Sequence, residues 1–123
     1  MAREQFQTLT EPMYYTLLAL TEECCGVDIM EKVSQISNGR VKVGPGTLYA
    51  MLSKFEENDV IRKTAEEGRR KSYIITEYGQ EMLREEYIRL RTMVSDGAGR
   101  VQMQSEDQQS GFGMPALDRK SVV

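Results

Sequence analysis

The sequence predicts a mainly α-helical fold that carries one small β-hairpin. Three observations indicate this class: apolar residues recur at helical spacing in four segments, an Asn-Gly pair ends one of them, and two β-rich runs enclose a glycine-containing turn. The chain has 123 residues, enough for one domain with a modest core. We divide it into a flexible arm over 1–9, a domain over 10–76, a C-terminal helix over 77–94 and a disordered tail over 95–123.

The first two helices are predicted from their apolar spacing and from the residues that interrupt it. A helix over 11–25 is apolar around more than half of its circumference, so it needs cover on two sides. A second helix over 27–37 ends at Asn38-Gly39, since both residues tolerate the left-handed conformation. Residues 40–43 alternate charged and apolar side chains, which predicts a short edge strand.

The third helix is the element that the other segments support. It begins at Pro45, whose missing N–H costs nothing in a first turn, and Gly44 takes the N-cap position. The face from Leu48 to Phe55 is apolar at helical spacing and is predicted to enter the core. The opposite face is small, hydrogen-bonding and free of acids, and it consists of Gly46, Thr47, Ala50, Ser53 and Lys54. Such a face can approach another molecule closely.

A β-hairpin follows the third helix. The β-rich runs 60–64 and 71–76 enclose the segment AEEGRR, in which Gly68 is available for a turn. The tip and returning arm of this hairpin therefore carry three consecutive cations, Arg69, Arg70 and Lys71.

The last helix is predicted to begin after a cap at Thr76. Four of its apolar residues are spaced 4, 3 and 4 apart, which predicts the seam of two helices packed side by side. This seam consists of Leu83, Tyr87, Leu90 and Val94. Packing inside the monomer is the alternative, but the surplus apolar surface of the first helix, at Tyr14 and Leu17, favours a dimer.

Charge is distributed unevenly along the chain. The formal net charge of −3 does not favour nucleic acid as a partner of the whole molecule. Residues 38–71, however, contain eight Lys and Arg against five Asp and Glu, whereas residues 1–37 contain two against six. The segment with the local balance of +3 contains the third helix and the hairpin, and a local basic patch is what phosphate contacts require.

Composition removes several classes of chemistry. The chain has no histidine, which excludes Ser-His-Asp and Cys-His catalysis, so we expect no enzyme activity, metal or cofactor. Cys24 and Cys25 are adjacent, which suits neither a zinc site nor a disulfide. We interpret them as the apolar end of a buried helix, with a thiol sensor as the alternative. No apolar run approaches the ~20 residues that span a bilayer and no signal peptide opens the chain, so a reducing cytoplasm is expected.

The order of the predicted elements is that of a winged helix-turn-helix, in which the hairpin is the wing. The third helix is narrow enough for a major groove about 12 Å wide. Its first amides, at Gly46 and Thr47, can receive a phosphate through free N–H groups and the helix dipole. The three cations of the hairpin can reach neighbouring phosphates, although by themselves they could equally form an ordinary solvated turn.

These residues resemble the PadR family of transcriptional regulators. The run PGTLYAMLSKFEENDVI is similar to the family's recognition helix, EEGRRKSYIITEYG to its wing and the start of its last helix, and YTLLAL and CGVDIMEKV to its first two helices. The resemblance covers residues 10–94. It implies a winged-helix homodimer that binds a palindromic operator, usually as a repressor, with a Tyr49 hydroxyl that reaches a phosphate. The single C-terminal helix is similar to the compact branch of the family.

Two hypotheses follow for function. In the first, the chain is a dimeric DNA-binding repressor whose DNA-contacting residues are Gly46, Thr47, Tyr49, Ala50, Ser53, Lys54, Arg69, Arg70 and Lys71. Its twofold interface is then formed by Tyr14, Leu17, Leu83, Tyr87, Leu90 and Val94, and a small aromatic effector could lie at the dimer centre among Tyr14, Leu17, Tyr87 and Met93. In the second, the winged helix is a protein-interaction or ligand-sensing module with little DNA affinity, which the acidic net charge favours weakly.

Overall fold

The structure is a computed structural model that describes residues 8–103. Within these residues the elements in chain order are α1 (Glu11–Ala19), β1 (Cys24–Cys25), α2 (Gly26–Ile36), α3 (Pro45–Glu57), β2 (Ile61–Glu67), β3 (Arg70–Ile75) and α4 (Glu77–Gly97). The strands form one antiparallel sheet of order β1-β3-β2. The prediction of a mainly α fold with one β-hairpin is confirmed. Among the described residues, those up to Glu86 form one compact unit and those from Tyr87 form a second.

The first helix is shorter than its apolar pattern predicts. The Thr10 hydroxyl caps α1 by accepting a hydrogen bond from the Met13 amide at 3.3 Å. The helix ends at Ala19, six residues before the predicted end, because the chain then turns towards the sheet. The Leu20 carbonyl accepts a hydrogen bond from the Ile75 amide at 2.9 Å, which joins this turn to β3.

The two cysteines form a strand, so the prediction that they end a helix is wrong. Cys24 pairs with Tyr73 and Cys25 with Ser72, and this pairing places β1 at the edge of the sheet. Both thiols are free. Burial raises the pKa of the Cys24 thiol, which keeps it protonated near neutral pH and therefore unreactive. The alternative of a thiol sensor gains no support from Cys24.

The predicted edge strand over residues 40–43 is also wrong, because these residues are not in a strand and the two edges of the sheet are β1 and β2. The alternation is nevertheless real, since Val41 and Val43 are buried while the residues between and before them are exposed. The Ser37 hydroxyl fixes the segment by accepting a hydrogen bond from the Val41 amide at 2.9 Å. Before it, Asn38 and Gly39 both have positive φ, as predicted for the end of α2.

The third helix and the hairpin agree with the prediction in type and differ in length. The α3 helix begins at Pro45 with Gly44 at the N-cap, and its apolar face, from Leu48 to Phe55, lies in the core. The strands of the hairpin continue beyond the predicted runs, so only Gly68 and Arg69 form the turn. Gly68 has a φ of 59°, which a glycine adopts without strain.

The start of α4 is packed closely against the turn that follows α3. The Thr76 hydroxyl accepts a hydrogen bond from the Gly79 amide at 2.9 Å, which confirms the predicted cap. Gly79 then lies against Val60: a Cβ placed on Gly79 would be 2.2 Å from the Val60 carbonyl oxygen and 2.7 Å from Ile75 Cγ1. Only a glycine fits at this approach.

Within the described residues, the structure differs from the predictions for both ends of the chain. The helix α4 continues to Gly97, so the boundary of the predicted tail at 95 is too early. At the other end Leu9 is buried in the core, so it does not belong to a flexible arm. The remaining parts of these two predictions, over 1–7 and 104–123, lie outside the described residues.

One buried polar group in α1 has no hydrogen-bond partner within the described chain. Thr16 is fully buried and its hydroxyl oxygen is unpaired. An unsatisfied buried hydroxyl costs about 1–3 kcal/mol, so we expect Thr16→Val to raise the free energy of unfolding by about 1 kcal/mol. Urea denaturation measures the change.

A second buried hydroxyl supplies the matched control for this prediction. Ser37 donates a hydrogen bond to the Val33 carbonyl at 2.9 Å in addition to accepting one from Val41. Ser37→Ala is therefore expected to lower the free energy of unfolding by about 1–2 kcal/mol. A loss of stability in Thr16→Val would contradict the assignment of an unpaired hydroxyl.

Candidate nucleic-acid interface

The outward face of α3 is a small, exposed surface. Thr47, Ala50, Ser53 and Lys54 are all exposed to solvent, as is Gly46 in the first turn. The opposite face holds α3 in the core through fully buried side chains, so the outward face is carried on a rigid element. The exposure predicted for these residues is confirmed.

Tyr49 lies at the side of this surface, against the first residue of α2. Its side chain is 44% exposed, so it is not part of the core. A Cβ placed on Gly26 would lie 3.4 Å from Tyr49 Cε1 and 3.5 Å from the hydroxyl oxygen. Such distances are ordinary van der Waals contact, so the ring lies close to Gly26 without requiring a glycine there. The hydroxyl lies beside the N-terminus of α2, where helix amides are unpaired.

A cleft of about 340 Å³ separates α3 from the hairpin. Both elements contribute exposed polar groups to it, and the N-terminus of α2 closes one end. Its lining residues are Gly26, Val27, Tyr49, Leu52, Ser53, Glu56, Arg69, Lys71 and Tyr73. The cleft therefore brings together four of the nine residues predicted to contact DNA.

The three cations of the hairpin do not share one face. Side chains alternate along a strand, and Lys71 has the same parity as Tyr73, with which it lines the cleft. Arg69 lies in the turn and also lines the cleft. Arg70 is paired with Glu67 in the ladder and has the opposite parity, so it points away from the cleft. The structure thus separates Arg70 from the two cations beside α3.

Acidic side chains reduce the positive charge of this region. Glu56 lines the cleft in the last part of α3, so the outward face is free of acids only in its earlier turns. In the sequence, its position seven residues after Tyr49 places it on the same side of the helix. Lys63 and Glu66 form an ion pair of 3.0 Å, and the hydrogen bond between them raises the pKa of Lys63 and lowers the pKa of Glu66.

A second cleft, of about 380 Å³, lies between the start of α1 and the outward face of α3. It is lined mainly by apolar side chains, with Thr47 and Lys54 at its polar side. The full lining is Thr10, Pro12, Met13, Thr47, Ala50, Met51, Lys54 and Phe55. The start of α1 is fixed there by Arg40, which donates to Glu11 at 2.7 Å and to the Tyr15 hydroxyl at 2.9 Å.

The residues assigned to a dimer interface fall into buried and exposed groups. Leu17 is fully buried and Leu83 is 8% exposed, and both belong to the core. They have almost no surface to offer a second chain, so their assignment is corrected. Tyr14 is half-buried against the core. In the second unit, Leu90 is half-buried, and Tyr87 and Val94 are 45% and 61% exposed.

Within residues 8–103, no group of three or more Cys, Asp or Glu side chains is placed to hold a metal ion. None of the helices in this part of the chain is both long and apolar enough to span a bilayer.

The elements and their order are those of a winged helix-turn-helix domain. The sequence model of the transcriptional regulator PadR-like family matches residues 16–85, which is more than half of the 123 residues. The chain therefore belongs to the PadR-like family. Its members are transcriptional regulators and not enzymes.

Solved structures share this fold at low sequence identity. RosR from H. salinarum is 20% identical, with a TM-score of 0.56, and the match covers 77% of this chain and 98% of RosR. A transcriptional regulator from Clostridium thermocellum, Cth-833, is 21% identical, with a TM-score of 0.56, and the match covers 71% of this chain and 90% of Cth-833. A complex of RosR-S4 matches over 100% of both chains, at 18% identity and a TM-score of 0.62.

A sequence relative comes from a larger protein. An uncharacterized 37.1 kDa protein in transposon TN4556 of Streptomyces fradiae is 34% identical over 61 residues. The match covers 50% of this chain and 17% of that protein. This chain therefore spans only a small part of the relative's length.

Proposed function

We propose that the chain acts as a homodimeric transcriptional repressor that places two α3 helices in successive major grooves of a palindromic operator. The observation that carries this proposal is the small outward face of α3, which is free of acids up to Lys54 and is separated by one cleft from the cations of the wing. A helix with this profile fits a major groove about 12 Å wide. Because its partner is DNA, we place the protein in the cytoplasm.

The roles of the contact residues follow from their positions and chemistry. Thr47, Ala50 and Ser53 occupy the centre of the outward face, so we assign them to base edges. Phosphate contacts are assigned to the other residues of the surface, namely the Gly46–Thr47 amides, Tyr49, Lys54, Arg69 and Lys71. Arg70, which the sequence also predicted to contact DNA, is left out because it points away from the cleft. The base-reading residues include no arginine and no amide side chain, so bidentate contacts to guanine or adenine are absent and specificity per base pair should be modest.

The dimer is supported by the exposed apolar residues of the second unit. Tyr87, Leu90 and Val94 are spaced 3 and 4 apart, so they share one side of α4, and two of them are well exposed. Binding to successive major grooves requires the two α3 helices of the dimer to lie about 34–36 Å apart, which is one turn of DNA. Leu17 and Leu83 take no part in this interface because they are buried in the core.

We also propose that the protein represses transcription and that a small-molecule effector releases it from DNA. Repression is favoured by the resemblance to the PadR family described above. The effector is proposed as a chemical class only, a small aromatic compound. The residue set assigned from sequence does not describe its site, because Leu17 is fully buried and cannot line a cavity.

The different positions of Arg69 and Arg70 give a test of the wing. Arg69→Ala should weaken binding on all sequences and reduce the slope of log K against log salt by about one unit per wing, because one phosphate contact and its released counterion are lost. Fluorescence anisotropy with labelled duplex DNA at several salt concentrations measures the slope.

Arg70→Ala is the matched control, since it removes the same charge from the neighbouring position on the other side of the hairpin. We expect a smaller change in slope than for Arg69→Ala. Equal slopes for wild type and Arg69→Ala would remove the wing from the interface.

A further inference from the structure

The hairpin contains a bulge that changes which residues share a face. Lys63 pairs with Tyr73 and Glu66 pairs with Lys71, and the ladder shifts register between Lys63 and Ala65. In a regular strand, residues three apart point to opposite faces. Here the bulge adds one residue to β2, which reverses the alternation beyond it. Lys63 and Glu66 therefore lie on the same face of the hairpin, together with Tyr73 and Lys71.

The bulge is held in place from outside the hairpin. The Thr64 hydroxyl, at the bulge, donates a hydrogen bond of 2.6 Å to a carboxylate oxygen of Glu23. Glu23 lies in the segment between α1 and β1, which is part of the same compact unit. The register that brings Glu66 to this face is therefore tied to the body of the domain.

The face shared by these residues is the one that adjoins the cleft. Tyr73 and Lys71 line the cleft, and Lys63 and Glu66 are their neighbours across the ladder. Glu66 contacts Lys63 at 3.0 Å and lies opposite Lys71, so one carboxylate faces two cations. Its negative charge occupies the position from which these lysines would otherwise attract a DNA phosphate.

We propose that Glu66 is an intramolecular competitor of DNA, which occupies Lys63 and screens Lys71 in the free protein and so sets the affinity of the wing for phosphate. This inference rests on the proposed DNA-binding function. It also assigns Lys63 to the interface, a residue that the charge pattern of the sequence did not distinguish. Glu66 acts through the two lysines and is therefore a positioning residue.

The consequence for binding is electrostatic and independent of DNA sequence. In wild type Lys63 stays paired with Glu66, so it neutralises no phosphate and adds little to the counterions released from the DNA. Without the carboxylate, Lys63 neutralises a phosphate directly, and the counterion that it displaces adds to the salt dependence.

The test compares Glu66→Gln with wild type on a mixed-sequence duplex of about 30 base pairs, on which binding is dominated by phosphate contacts. We expect Glu66→Gln to bind about fivefold more tightly at low salt, with a slope steeper by about one unit per wing. Glu66→Asp, which keeps the charge, should restore a slope close to that of wild type. Thermal unfolding of each variant verifies that the domain stays folded.

Glu67→Gln is the matched control, since it removes the same charge from the next position. Glu67 has the opposite parity in the hairpin, and within residues 8–103 it forms no ion pair. Its effect should be clearly smaller. If both variants bound DNA equally more tightly, the gain would come from net charge alone, which would overturn the proposal.

A double variant identifies the lysine through which Glu66 acts. If Lys63 is the residue released, Lys63→Gln combined with Glu66→Gln should lose most of the gain seen for Glu66→Gln alone. A Glu66→Gln variant that binds DNA as wild type does would overturn the competition while leaving DNA binding intact. Absence of binding by wild type at low salt would instead overturn the proposed function itself.

Discussion

Ala50→Glu is expected to weaken DNA binding at least about 100-fold, the largest effect of any single exposed substitution, because like charges brought together at an interface cost several kcal/mol. Ala50 lies at the centre of the outward face of α3 and is exposed, so the larger side chain fits without disturbing the core. In the complex the new carboxylate would face base edges and neighbouring phosphates. A dimer would carry this repulsion twice. Anisotropy titration with operator or mixed-sequence DNA measures the loss.

Gln80→Glu is the control for added charge. Gln80 is exposed in the first turns of α4, where a carboxylate is tolerated by the helix dipole, and it belongs to neither the outward face of α3 nor the wing. We expect affinity within a few-fold of wild type. Near-normal DNA binding by Ala50→Glu, or an equal loss in both variants, would contradict the assignment of α3 to the major groove.

Gly79→Ala is expected to lower the free energy of unfolding by about 2–4 kcal/mol. A Cβ at this position would lie 2.2 Å from the backbone oxygen of Val60, which cannot rotate away as a side chain could. Alanine ordinarily stabilises a helix interior relative to glycine by about 1 kcal/mol, so the clash must overcome this intrinsic gain. Urea unfolding monitored by circular dichroism gives the difference.

Gly46→Ala provides the opposite case. Gly46 lies in the first turn of α3, and a Cβ placed there meets no atom within 4 Å. Its stability should be unchanged or raised by up to about 1 kcal/mol. Stability of Gly79→Ala equal to that of Gly46→Ala would show that α4 does not approach Val60 as closely as described.

Local chemistry was sufficient to predict most helices and the hairpin. Pro45 and Gly44 defined the start of α3, Asn38 and Gly39 the end of α2, and Thr76 the cap of α4, because each acts on the backbone within a few residues. The two faces of α3 were likewise predictable from spacing alone, since a rigid helix converts sequence spacing directly into direction.

The secondary-structure predictions failed where pairing with a distant segment of the chain decides the structure. Cys24 and Cys25 continue an apolar pattern, but their backbones pair with β3, almost fifty residues later in the chain. The segment 40–43 has a strand-like alternation, but the two edges of the sheet are β1 and β2. Neither outcome is encoded in the local pattern, because an edge strand is defined by its partner.

For the candidate interface, too, the sequence predicted the residues but not the tertiary contacts that position them. The cations of the wing were identified from sequence, but the pairing of β3 determines which of them lie beside the cleft, and the bulge in β2 determines which carboxylate lies opposite them. Both are properties of paired strands. Leu17 and Leu83 fitted an interhelical seam by spacing, yet both pack into the core. Spacing defines a face of a helix but does not identify what covers it.

Selection of bound sites from random duplex DNA, followed by hydroxyl-radical footprinting of the enriched site, tests the central claim most directly. The account predicts a twofold-symmetric sequence whose half-sites are centred about 10 base pairs apart, with backbone protection extending beyond each half-site where the wing lies. Recovery of an unsymmetrical sequence or of no enriched sequence at all, with no protected backbone, would contradict it.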